Sequence, residues 1–164
     1  MNRPRFTIHR DEQTLELGER SLLMGTINVT PDSFSDGDRF FQTEKAIKQG
    51  ELLASEGADL LDVGGESTRP FSDPVPLEEE LRRVIPVVSE LAKRTSIPIS
   101  IDTCKAEVAR ASLDAGATMI NDISALRFDP QMVELAAAVK VPLVLMHMQG
   151  TPRSMQVEPR YGSL

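Results

Sequence analysis

Polarity along this chain switches at a regular spacing. Short apolar runs alternate with longer stretches whose apolar residues recur every three or four positions, the mark of buried strands alternating with amphipathic helices. Leu22 to Ile27 forms the first run, and Leu60, Leu61 and Val63 the second. Ser96 to Asp102 predicts a third strand, and Ala117 to Asp122 and Pro142 to His147 predict a fourth and a fifth. Between the first two, Thr43 is placed to cap a helix that carries Ala46, Ile47, Leu52 and Leu53 and closes at Gly57. Pro76 to Arg94 is amphipathic, with Leu77, Leu81, Val84, Ile85, Val88 and Leu91 on one face, and Pro86 is expected to kink or divide it. Lys105 to Ala115, ended by Gly116, and Gln131 to Val139 predict two further helices. Ahead of these, Phe6 to His9 and Leu15 to Gly18 alternate in polarity around a turn-rich Arg10 to Thr14, which predicts a hairpin. From Met148 onward the chain is polar, rich in Pro and Gly, and without a regular pattern.

Strict strand–helix alternation with near-continuous apolar strands means an α/β fold with a parallel sheet. Two architectures fit: an open doubly wound sheet, or part of a (β/α)8 barrel. Five strands and four helices would complete a flavodoxin-like sheet but only a little over half of a barrel, which takes about 250 residues. At 164 residues the chain is one domain's worth, long enough for a real core.

Composition narrows the partners. A formal net charge of -7 with no compensating basic stripe argues against nucleic acid, though local Arg side chains and helix N-termini still suit an anionic small molecule. Cys104 is the single cysteine, so no internal disulfide forms and a reduced, unreactive thiol is expected. No apolar run approaches membrane-spanning length, and Met1 to Arg10 lacks the apolar core of a signal peptide, so the expected location is cytoplasmic.

The predicted strands end in polar residues: Asn28, then Gly64-Gly65-Glu66, Asp102, Asn121-Asp122 and His147. In either architecture these ends converge on one face, where parallel α/β proteins bind ligands. A carboxylate accepts two parallel N–H donors and an Asn amide both donates and accepts, which together suit an amino-pyrimidine edge. The common phosphate-loop, dinucleotide and zinc signatures are absent. After the first strand, Asn28, Thr30, Asp32, Ser33, Ser35, Asp36 and Asp38 crowd around Pro31 and Gly37 in a polar loop.

Five blocks carry a family resemblance: INVTPDSFSDG from Ile27, DVGGESTRP from Asp62, ISIDT from Ile99, INDIS from Ile120 and LMHMQGTP from Leu145. In order and spacing they resemble dihydropteroate synthase over essentially the whole chain. The resemblance implies a (β/α)8 TIM barrel, here its first five strands and four helices behind an N-terminal hairpin, with residues 1–164 a single domain. It implies condensation of 6-hydroxymethyl-7,8-dihydropterin pyrophosphate with p-aminobenzoate, giving 7,8-dihydropteroate and pyrophosphate in folate biosynthesis. It also implies Mg2+ as cofactor, a homodimer at full length, and the role of a sulfonamide target.

By position, Asp102 and Asn121 match the family's pterin-edge residues, and Ile123 and Met146 its apolar pocket walls. Asn28 matches the Mg2+ and pyrophosphate contact. Thr68 and Arg69 match the loop that meets pyrophosphate and aminobenzoate, while Phe34, Asp36 and Pro70 match residues closing over the reacting methylene and the benzoate ring. Arg69 and Asp36 would then serve charge on the leaving group and on the developing cation.

Two departures stand beside this match. Phe71-Ser72-Asp73 follows Pro70 where the family has Gly and small residues. Three later family blocks, with a second pterin carboxylate, a pterin Lys, and a pyrophosphate Arg and His, have no counterpart in the chain. The 164 residues are therefore expected to be the enzyme's N-terminal half and, alone, inert. The alternatives are a methyltetrahydrofolate-type pterin-binding domain, against which the first-loop block and STRP speak, and a non-catalytic half-barrel that self-associates.

Overall fold

The structure is a computed structural model and describes residues 3–10, 13–30, 39–67, 74–152, 154–156 and 158–162. The hairpin forms as expected: β1 (Phe6–Arg10) and β2 (Gln13–Leu17) pair antiparallel, with Phe6 opposite Leu17. Then follow β3 (Met24–Asn28), α1 (Arg39–Ser55), β4 (Leu60–Gly64), α2 (Leu77–Arg94), β5 (Ile99–Asp102), α3 (Ala106–Asp114), β6 (Met119–Asp122), α4 (Pro130–Val139) and β7 (Leu143–Leu145). No helix among the described residues is long and apolar enough to cross a membrane.

Strands β3 to β7 form one parallel sheet in the order β3-β4-β5-β6-β7. That order decides between the two architectures. A flavodoxin-like sheet reverses direction after its first crossover and takes helices on both faces. Here each crossover steps to the next position, and α1, α2, α3 and α4 pack successively against one another as a single layer. This is the winding of a (β/α)8 barrel.

The core lies between that layer and the sheet. Ile27, Val63, Ile101 and Ile120 stand opposite one another across four strands, none more than 2% exposed, and belong to one apolar cluster with Val84, Leu91, Val108, Met132 and Leu135. Side chains alternate along a strand, so the other face carries the intervening residues. Thr26, Asp62, Ser100 and Met119 make one row there, and Asn28, Gly64, Asp102 and Asn121 the next.

Asp59, just before β4, fastens the connection from the hairpin to the start of the sheet. Its carboxylate takes both terminal nitrogens of Arg20 and the Leu23 N–H at 2.8 Å. The Arg20 bonds, and then the Leu23 bond, hold its pKa down at about 2. At the other end of the sheet, Asp129 accepts the N–H groups of Gln131 at 2.9 Å and Ala106 at 2.7 Å, capping α4 and the start of α3 together.

The helices differ from expectation in three places. α2 runs unbroken through Pro86, which lies with Arg82, the residue whose carbonyl loses its donor, on the exposed side of the helix. Its buried stripe is Glu80, Val84, Val87, Val88 and Leu91, with Leu77, Leu81 and Ile85 only half-buried at the border. α1 begins at Arg39, which leaves Thr43 inside the helix and not at its cap; Arg39 to Gln42 contain neither Gly nor Pro to stop it. The helix does close at Gly57, whose φ of +100° is open to a residue without a Cβ. β7 is shorter than expected: it pairs only with β6 among the described residues, and Val144 and Leu145 are exposed.

Candidate active site

Parallel pairing sets the site. Asn28, Gly64, Asp102 and Asn121 are mutual register partners at the C-terminal ends of four adjacent strands, about 5 Å from one strand to the next. A cleft of about 660 Å³ opens beside the row, lined by Glu66, Asp102, Thr103, Lys105, Ile123 and Phe128 among others.

Asp102 is the most perturbed carboxyl there. Burial first, and then the carboxylates of Asp62, Glu80, Asp122 and Glu66, push its pKa up to about 7. Its Oδ1 is buried without a hydrogen-bond partner. Such an atom costs folding free energy until a donor meets it. Asn121 Nδ2 donates to Asp62 Oδ2 at 3.1 Å. Asp62 is 4% exposed, and burial raises its pKa as well. Asp62 Oδ1 and Ser100 Oγ are likewise buried and unpartnered. Of these residues Asp102 is the one that lines the cleft, and its unpartnered Oδ1 is an acceptor suited to an N–H group from a ligand.

The turns bearing this row are held by α2. Glu80, wholly buried, accepts Thr103 Oγ1–H at 2.7 Å and pairs with the Lys105 ammonium, which also pairs with Glu66. Burial works against the Lys105 charge, but the two carboxylates outweigh it and raise its pKa above the ordinary value. Thr103 Oγ1 accepts the Lys105 N–H at 3.2 Å, and Arg83 donates to the Gly65 carbonyl at 2.7 Å. A Cβ on Gly65 would stand 2.8 Å from Val84, so glycine lets α2 approach the turn this closely.

Of the residues expected in the site, Asp102 and Ile123 line the cleft and Asn121 adjoins Asp102 in register. Asn28 is exposed at the end of β3, two strands from Asp102. Met146, half-buried after β7, donates its N–H to the Asp122 carbonyl at 3.3 Å and is not among the cleft's lining residues. Phe34, Asp36, Thr68, Arg69 and Pro70 lie outside the described residues. Burial above all pushes the Cys104 thiol up to about 12, which keeps it protonated. His147 is exposed beside Tyr161, with ring centroids 5.6 Å apart. The sequence reading misses Asp62, Glu80 and Lys105. For Glu80 a signal existed: it sits four, seven, eight and eleven positions before Val84, Val87, Val88 and Leu91, an acid on an apolar stripe.

A singly wound parallel barrel wall with acids and an amide gathered at the strand ends is the frame of a small-molecule enzyme site. The chain belongs to the pterin binding enzyme family, which matches residues 24–164. It is 49% identical over 153 residues to a dihydropteroate synthase of Synechocystis sp., covering 93% of this chain and 53% of that one. A solved Yersinia pestis dihydropteroate synthase in a sulfonamide drug complex superposes with a TM-score of 0.87 at 46% identity, over 96% of this chain and 57% of that one. A Xanthomonas albilineans dihydropteroate synthase with 4-aminobenzoic acid does so with 0.83 at 51%, over 98% and 55%. The chain spans about half the length of the curated relatives it matches.

Proposed function

We propose that residues 1–164 form a single domain, the first portion of a pterin-binding barrel, and carry half of a dihydropteroate synthase site. The observation that carries this reading is the in-register pair of Asp102, with its unpartnered Oδ1, and Asn121, in a chain 49% identical to a protein of that name. The reaction joins 6-hydroxymethyl-7,8-dihydropterin pyrophosphate to p-aminobenzoate. The C–O bond to pyrophosphate breaks, the amine forms the new C–N bond, and the amine loses a proton.

Ionised Asp102 accepts the 2-amino N–H and a neighbouring ring N–H of the pterin, and Asn121 donates and accepts along the same edge. Ile123 and Met146 wall the ring. Departure of pyrophosphate leaves positive charge on the pterin methylene, which Asp36 faces, while Arg69 and Thr68 hold the leaving group. Phe34 and Pro70 close over the methylene and the benzoate ring and keep water from capturing the cation. Among the described residues no cluster of three or more His, Cys, Asp or Glu could hold a metal ion. Mg2+ needs none, since it keeps several waters and substrate phosphate oxygens as ligands, and the exposed Asn28 at the strand end suits a single amide ligand. Bound there, Mg2+ would neutralise charge on the pyrophosphate. A homodimer at full length and a cytoplasmic location belong to the same reading.

The test is product formation by the protein in its natural full-length form, followed by chromatography of 7,8-dihydropteroate. Formation from the two substrates supports the reading, and turnover or tight binding of methyltetrahydrofolate in its place overturns it. The 164-residue polypeptide by itself is expected to form no detectable product, because the matched segment is about half of each relative.

A further inference from the structure

Asn121 and Asp62 lie 59 residues apart, on β6 and β4, with β5 between them. They meet because alternate strands of a barrel contribute side chains to a common interior layer. The β5 residue in register with Asp62 is Ser100, small enough for the 3.1 Å bond from Asn121 Nδ2 to pass over the strand. The bond has a direction that matters. The two ends of an amide are nearly the same size, and exchanging them reverses donor and acceptor. A carboxylate only accepts, so Asp62 meets Nδ2 and repels Oδ1.

Resting on the pterin reading above, we propose that Asp62 is a positioning residue that holds the Asn121 amide in one orientation. Asn121 and Asp102 then present a fixed donor and acceptor edge to the ring. Asp62 touches no ligand in this role. It is 4% exposed and absent from the cleft wall. Its second oxygen is buried beside Ser100, which with Asn121 favours the ionised carboxylate against the cost of burial.

That charge has an independent readout. Asp102 is faced by Asp62 on β4, Glu66 in the following turn, Glu80 on α2 and Asp122 on β6, all of which oppose its ionisation. The Lys105 cation, between Glu66 and Glu80 at the start of α3, works the other way. Removing the charge at Asp62 therefore eases ionisation of Asp102 and moves the acid limb of pterin binding to lower pH.

The experiment is calorimetric titration of the natural full-length protein with 7,8-dihydropterin across the neutral range, for the unmodified protein, Asp62→Asn, Asn121→Ala and the double variant. Asp62→Asn is expected to weaken dihydropterin binding roughly tenfold, with the p-aminobenzoate KM unchanged. Its acid midpoint falls, and the double variant binds no more weakly than Asn121→Ala. Additive losses, undiminished binding, or equal loss for both substrates with no pH displacement would overturn the proposal. Should Asp62→Asn not fold, side-chain amide hydrogen exchange in the unmodified protein decides: slow exchange at Asn121 supports it, and exchange as fast as at an exposed Asn refutes it. If the unmodified protein binds no dihydropterin, the functional reading fails, while amide exchange still decides whether Asp62 holds Asn121.

Discussion

Asp59 and Asp102 stand at opposite ends of neighbouring strands and have opposite fates. Asp59, at the start of β4, is met by a guanidinium and a backbone N–H, and its pKa falls to about 2. Asp102, at the end of β5, is buried and faced by other carboxylates, which push its pKa up to about 7, and it keeps one oxygen unpartnered. One end of the sheet spends its polar groups on holding the chain together. The other leaves Asp102 Oδ1 unsatisfied, and an unsatisfied buried acceptor is stable only where the rest of the fold holds it in place. Here α2 does so, through Glu80, Thr103, Lys105 and Arg83.

The contrast breaks if both ends respond alike to substitution. On the proposed function the largest difference is expected in catalysis: Asp102→Ala lowers kcat/KM for the pterin substrate about a hundredfold through lost charged hydrogen bonds, while Asp59→Ala leaves it unchanged. Steady-state kinetics on the full-length protein checks this, and equal losses would erase the distinction. Next comes the support. Glu80→Ala leaves the half-buried Lys105 ammonium and the buried Thr103 hydroxyl short of a partner and should cost about 3 kcal/mol in urea unfolding.

Two pH experiments sharpen the comparison. Asp102 has a folded pKa above the ordinary carboxylate value, so the stability linked to it is present at low pH and lost as pH rises through about 7. Asp102→Asn should therefore stabilise the fold at pH above 7, by about 2 kcal/mol after allowing for partial solvent screening, and make no difference in acid. Asp59 has the opposite sign. Its contribution is present above the ordinary carboxylate pKa and fades as pH falls through about 2. Asp59→Asn should lower Tm slightly near neutrality, less in acid, and less again in high salt.

Much of this was legible in the sequence because strand ends announce themselves. Asp102 and Asn121 terminate apolar runs, and a polar residue there is visible in a single line of text. What stayed hidden depends on distance. Lys105 reads as an ordinary lysine at a helix start, since its partners Glu66 and Glu80 lie 39 and 25 residues away. Asp62 meets Asn121 only because a curved wall brings alternate strands together, a fact of the sheet's curvature and not of local pattern. Pro86 misleads for a related reason: its effect on α2 depends on which side faces water, and that is settled by packing.

The sheet's strand order is also the order of synthesis. Each strand from β4 onward pairs with the one made just before it, and each helix packs beside its predecessor. Translation at about 5–20 residues per second gives each strand–helix unit a second or more before the next emerges. Helix formation takes on the order of a microsecond. The wall is therefore suited to accretion on the ribosome, each unit docking on an edge already laid, with no long-range search between distant segments.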